Sequence, residues 1–310
     1  MTSTFFYFKI FMSMIKHLIT GGCSFSHGPF PQDNWTGKLE NNLREINPNL
    51  TTEHTGYLSQ GQELIQKKVT LAIMDALDKG ISSSDILVVV MWSGTYRKAF
   101  YIDNHYILNK MRNDWKQFEG GMSGQFLDLK NKLNGEIIIF ETKNGSKFKS
   151  GKDGGWYFTV NGSDSQMEFV QQHYLLDGDM GNGVGKVHIS AENIINLQNF
   201  CKLNNVKLVH QFFMDSSYLD IEKHKEHQLI NYLYKQFDSN IAIKDGMFEW
   251  LHGLLNISKE DAVMVTHSDR KRLDEQYGYF SKDGFHPSTY GAELWTKNVL
   301  IPFLETKKYI

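Results

Sequence analysis

Short apolar runs alternate along this chain with segments whose apolar residues recur every three or four positions. That alternation predicts β-strands joined by amphipathic helices, and hence a mainly parallel sheet with helices on both faces. Residues 17–22 (His-Leu-Ile-Thr-Gly-Gly) read as a first strand ending in glycines, and 34–46 follow as a helix. Across 60–79, Ile65, Val69, Ile73 and Leu77 fall four apart on one helical face, with Gly80 as the stop. Residues 85–92 (Asp-Ile-Leu-Val-Val-Val-Met-Trp) carry the strongest strand signal, a continuous apolar run of the kind buried on both faces. Residues 206–213 predict a second interior strand, preceded by a helix over about 190–204. Two further helices are expected over about 219–237 and 292–304, the last carrying Leu294, Trp295, Val299 and Phe303.

Between Arg97 and His188 the rhythm breaks into a stretch rich in Gly, Asn, Lys and aromatics, with strand-like pieces at 137–140 and 156–160. The alternation resumes afterwards, so 97–188 reads as a large insertion after the third strand and 1–310 as one domain. Insertions at the C-terminal ends of parallel strands commonly build the walls and lids of sites. The expected architecture is α/β, a three-layer α/β/α sandwich of flavodoxin-like type.

Composition narrows the function classes. A chain of 310 residues with 41% hydrophobic and 22% charged residues can bury a sizeable core. A net charge of −2 with only five Arg lacks the basic excess of a dedicated nucleic-acid binder. Two Cys, 23 and 201, exclude a disulfide framework, a Cys-rich zinc site and an iron–sulfur cluster. Cys201 shares a helix with Ile194 and Leu197 and is expected in the core. The run from Phe5 to Ile15 is interrupted by Lys9 and falls short of the ~20 residues a spanning helix needs. It also lacks a basic leader and a small-residue cleavage site. Stable membrane insertion and secretion are therefore not expected, and residues 1–15 read as an N-terminal extension packed on the fold or as the result of an early start codon, with Met12 and Met14 as alternative starts.

Two motifs could carry chemistry. Gly22-Cys23-Ser24-Phe25-Ser26-His27-Gly28 directly follows the first strand. A serine at the C-terminal tip of a buried parallel strand is aimed into the crevice where such sheets bind ligands. Asp283-Gly284-Phe285-His286-Pro287-Ser288 directly precedes the last helix. An Asp three residues ahead of a His can orient its imidazole as general base toward a serine hydroxyl.

A Gly-x-Ser-x-x-x-Gly block after the first strand and an Asp-x-x-His-Pro block before the last helix resemble the SGNH (GDSL-like) hydrolases, over about residues 16–304. The resemblance implies a serine esterase with Ser24 as nucleophile, His286 as base and Asp283 as its acid. It also implies an oxyanion hole from the backbone N–H groups of Ser24 and of Gly61, in Ser59-Gln60-Gly61-Gln62. The family's third block, Gly-x-Asn, is absent: the chain reads Met91-Trp92-Ser93-Gly94-Thr95-Tyr96-Arg97. There Ser93 or Thr95 would offer a hydroxyl in place of the Asn, and Trp92, Thr95 and Arg97 would line the substrate, unless they are ordinary loop residues. Cys23 stands where the family usually has Asp.

No cofactor or metal is implied. His224 and His227 fall on one face of the expected 219–237 helix without a third ligand, and 177–183 departs from a calcium loop at several positions. The expected substrate is a small-molecule or carbohydrate O-acyl ester, since the aromatics of 97–188 suit sugar rings or an acyl chain. The alternative is a catalytically weak binding or structural member of the same fold, for example a virus-particle component. Residence is expected in the cytoplasm or on such a particle.

Overall fold

A computed structural model describes residues 15–26, 33–56, 60–94, 98–103, 123–127, 138–141, 147–150, 155–160, 183–215, 221–262 and 265–310. In chain order, three strands come first: β1 (His17–Gly22), β2 (Thr51–His54) and β3 (Ile86–Trp92). Five short strands follow: β4 (Lys98–Asp103), β5 (Ser123–Leu127), β6 (Ile138–Glu141), β7 (Lys147–Ser150) and β8 (Gly155–Val160). The last two are β9 (Lys207–Phe212) and β10 (Ala242–Gly246). The main sheet has the order β10-β9-β3-β1-β2, with every pairing parallel.

The longer helices among the described residues are α1 (Trp35–Ile46), α2 (Gln62–Asp78), α3 (Gly183–Leu203), α4 (Gln228–Gln236), α5 (Met247–Leu254), α6 (His267–Leu273) and α7 (Thr289–Trp295). A turn of π-helix at Thr296–Leu300 continues α7 into α8 (Ile301–Thr306). Strand β3 explains the layering. Successive side chains point to opposite faces, so Leu87, Val89 and Met91 join one core with α1, α5 and α7. Ile86, Val88, Val90 and Trp92 join the other with α2, α3 and α4. All seven β3 side chains are fully buried, and each such burial is worth roughly 1.5–3 kcal/mol. The result is an α/β sandwich with a five-stranded parallel sheet between two helical layers. No helix among the described residues is long and apolar enough to cross a membrane.

Several elements differ from the sequence pattern. The single helix expected over 219–237 is broken, because 224–227 form turns and α4 starts at Gln228. The polar run Glu222–His227 has no apolar side to bury and stays mostly exposed. His224 and His227 therefore do not share a helical face. The helix expected from 190 begins at 183, and the one expected from 292 begins at 289, where Ser288 caps it by accepting a hydrogen bond from Gly291 N–H at 3.0 Å. Within 97–188 the described strands form two small antiparallel sheets, β4-β8-β5 and β6-β7.

Candidate active site

Ser24 lies in the turn that leaves β1 at the C-terminal edge of the sheet. Gly22 opens that turn at φ 154°, and a Cβ there would collide with Ser26 Oγ and lie 2.9 Å from Met91 O. The Ser26 N–H closes the turn on Cys23 O at 2.9 Å. Trp35 Nε1–H donates to Ser26 Oγ at 3.1 Å, and Asn34 Nδ2–H donates to Ser26 O at 3.0 Å. Asn34 also caps α1 by accepting from Thr36 N–H at 2.9 Å. These bonds lock the turn to the start of α1. Cys23 is fully buried in the core while Ser24 keeps partial exposure, so the turn hides the thiol and presents the hydroxyl. Gly22→Ala is expected to cost about 2–4 kcal/mol, from an unfavourable φ plus the overlap with Ser26. A urea-unfolding midpoint within error of the wild type would refute this account of the turn.

The segment 274–288 builds the second half. Asp274 accepts the N–H groups of Tyr279 (2.7 Å) and Phe280 (2.8 Å). Phe280 and Pro287 form a bridge, and Ser281 N–H donates to His286 O at 2.8 Å. Gly284, at φ 68°, allows the tight reversal between them. Inside this loop Asp283 Oδ1 accepts from Ser281 Oγ–H (2.6 Å), Phe285 N–H (2.8 Å) and His286 N–H (3.0 Å). Its Oδ2 lies 2.6 Å from His286 Nδ1. Partial burial pushes the Asp283 carboxyl up, but the bonds from Ser281, Phe285 and His286 outweigh it and hold the group well below the usual carboxylate range. An ionised carboxylate only accepts, so the imidazole proton resides on Nδ1 and Nε2 is left as the basic nitrogen.

Aromatic packing joins the two halves. Phe25, next to Ser24, has its ring centroid 4.9 Å from His286, 4.6 Å from Phe213 and 5.4 Å from Phe285. Phe285 also packs on Phe248 at 5.3 Å. His286 Nε2 is buried and has no hydrogen-bond partner, and it is not bonded to Ser24 Oγ. A buried acceptor left unpaired costs ~1–3 kcal/mol, which marks Nε2 as a place for an incoming donor. Unliganded sites commonly hold such pairs apart and tighten only around a substrate.

Gly61 is buried and forms the N-cap of α2. Its neighbours fix it: Gln60 Nε2–H donates to Gly22 O (2.6 Å) and Thr55 O (3.0 Å), and Gln62 Nε2–H donates to Ser93 O. The N-terminus of α2 is thereby tied to the ends of β1 and β3. Ser93 is fully buried. Trp92, expected to line the substrate, instead faces the core of α2 and α3, with Nε1–H donating to His210 Nδ1 at 2.9 Å. Thr95 and Arg97 lie outside the described residues.

The structure thus brings Ser24, Gly61, Asp283 and His286 to the same edge of the sheet. Sequence reasoning missed Gln60, Gln62 and the aromatic cluster. The only signal for the glutamines was two amides flanking a glycine at a helix start. Among the described residues no group of three or more His, Cys, Asp or Glu side chains is placed to hold a metal ion. Residues 177–182 of the calcium-like loop and residues 1–14 lie outside the described residues. Compared with known proteins, the chain matches no family model and no curated sequence.

Proposed function

We propose that the protein is a serine hydrolase of the SGNH type that cleaves a short-chain or carbohydrate O-acyl ester. One observation carries the reading: an Asp283–His286 pair whose basic Nε2 is unpartnered, packed through Phe25 against the turn that presents Ser24. His286 Nε2 takes the proton of Ser24 Oγ as the oxygen attacks the ester carbonyl. The tetrahedral oxyanion is stabilised by backbone N–H groups of Ser24 and Gly61, at the positive end of α2. The imidazolium, held by Asp283, returns its proton to the leaving alkoxide. Water then attacks the acyl-Ser24 ester, giving one proton to His286, and Ser24 is released with the carboxylic acid.

The carbohydrate or acyl preference draws on the 97–188 region, whose small sheet aligns Phe100 with Phe158, Tyr101 with Tyr157 and Ile102 with Trp156. Aromatic side chains as a class suit sugar rings or an acyl chain. A second reading, a binding or structural protein on the same fold, is favoured by the missing Asn after β3 and by the absence of a direct Ser24–His286 bond. A serine-reactive fluorophosphonate separates the two. The hydrolase reading expects stoichiometric labelling mapped to Ser24 by mass spectrometry, together with turnover of p-nitrophenyl acetate. Folded protein that neither labels nor turns over would favour the binding reading.

A further inference from the structure

Behind the Asp283–His286 loop sits a cation that ester hydrolysis does not itself call for. Arg270, on α6, is only 2% exposed. Its Nη1–H donates to Gly284 O at 2.6 Å, and Nη2–H donates to Val265 O (2.9 Å) and Ala262 O (3.3 Å). Its Nε–H donates to His252 Nε2 at 2.6 Å, while the guanidinium carbon lies 4.7 Å from the ring centroid of Phe248 and 5.7 Å from that of Phe280. His252 is uncharged at neutral pH: burial pushes it down to about 4 against its bond to Phe248 O, and the neighbouring Arg270 charge adds to the lowering. It donates Nδ1–H to Phe248 O at 2.7 Å and keeps Nε2 as an acceptor. The opposing charge that Arg270 senses is Asp283.

This arrangement is expensive for a mere staple. Burying a guanidinium against carbonyls and a neutral imidazole is rarely better than apolar packing of the same volume. What the cation holds is specific: Gly284 O belongs to the Gly284–Phe285 peptide unit, whose N–H donates to Asp283 Oδ1, at the left-handed residue that sets the turn. A shift of that peptide would move both the carboxylate and the imidazole that it orients.

We propose that Arg270 is a positioning residue for the Asp283–His286 pair, fixing the loop through Gly284 O so that Asp283 stays in place as the acceptor of His286 Nδ1–H. The inference rests on the hydrolase reading for its consequence, but its primary test does not require activity. The probe is the downfield proton resonance of His286 Nδ1–H in the full chain at neutral pH, recorded well below each variant's unfolding temperature. Arg270→Gln is expected to lose that resonance and to slow fluorophosphonate labelling of Ser24 by about 10²-fold, the typical cost of a misplaced catalytic group. Arg270→Lys keeps the charge and the reach to Gly284 O, so it should retain the resonance and lose less than about tenfold. An unchanged resonance in folded Arg270→Gln overturns the proposal, since a structural staple would lower only the unfolding temperature.

A reciprocal measurement covers the case in which Arg270→Gln does not fold. In Asp283→Asn, which keeps the shape of the loop, the Arg270 Nε–H signal should move while those of Arg44 and Arg272 stay in place. No movement would overturn the proposal. Wild-type protein that shows the resonance but neither labels nor hydrolyses would reject the hydrolase reading and leave the positioning role standing.

Discussion

Ser24→Ala is expected to lower kcat for p-nitrophenyl ester hydrolysis by about 10⁶-fold, and Asp283→Asn by about 10⁴-fold, with the double variant no worse than Ser24→Ala. The first removes the oxygen proposed to attack. The second acts through the tautomer, and the loop geometry says why. Asp283 Oδ1 takes three donors, from Ser281 Oγ–H and the N–H groups of Phe285 and His286. An Asn at this position must place its amide oxygen there, because an NH₂ group facing three donors would leave them all unpaired. Its NH₂ then lies where Oδ2 faced His286 Nδ1. A donor at that place requires Nδ1 to accept, so the imidazole proton moves to Nε2 and the base is lost. Steady-state rates at neutral pH, with unfolding temperatures as the control for folding, test both changes. An Asp283→Asn variant within tenfold of the wild type would remove His286 from the proposed role.

Acid is expected to destabilise the fold well before the carboxylates protonate. His210 is fully buried; burial pushes it down to about 3, against a raising influence from Asp238. His252, equally inaccessible, sits at about 4. Both titrate near 6.5 in the unfolded chain. The folded pKa lies below the unfolded one, so below pH 6.5 the unfolded state binds more protons and stability falls as pH falls. That loss runs from about pH 6.5 down to the folded values. Asp283 is lowered too and has the same sign in a lower window: its stabilising contribution is present above its ordinary carboxylate value and is lost only as pH falls below it. The window from pH 6.5 to 4 therefore belongs mainly to the histidines, and at ~1.4 kcal/mol per pH unit for each group the two together cost on the order of 6 kcal/mol by pH 4. Urea-unfolding midpoints at pH 7, 5.5 and 4 should show that loss in the wild type. His210→Gln/His252→Gln, which keeps acceptors for Trp92 and Arg270, should show at most about a third of it. His17, also lowered by burial and by Lys79, supplies part of the residue. An undiminished pH slope in the double variant would mean that other groups carry the acid sensitivity.

The legibility of the fold follows burial. Strand β3 was plain because every one of its side chains is enclosed, which demands an unbroken apolar run. Strand β2 (Thr-Thr-Glu-His) forms an edge with no fully buried side chain, so its polar sequence gave no strand signal. Strand β10 (Ala-Ile-Lys-Asp-Gly) leaves Lys244 and Asp245 exposed, and backbone pairing to β9 holds it where pattern does not. At the site, the Asp283–His286 spacing was readable because the bond it allows is local. Trp92 was misread for a reason present in the sequence: its end-of-strand position suggested the crevice, but its parity with Ile86, Val88 and Val90 places it on the α2 and α3 face. The glutamine ties at Gln60 and Gln62 depend on which strand ends lie side by side, which local pattern does not encode.

The contact of Phe25 with Phe285 and His286 also has a temporal meaning. The residue beside Ser24 is among the first of the fold to be synthesised, and the loop that carries His286 is among the last. Closing so distant a contact is slow and comes late in folding. The β1 turn, held by Trp35 and Asn34, can assume its shape early, whereas the proposed base reaches it only when the segment from α6 to α7 docks on Phe248 and Phe213. A nascent or partly folded chain would thus carry the serine without its base, and hydrolytic competence would report completion of the whole sandwich.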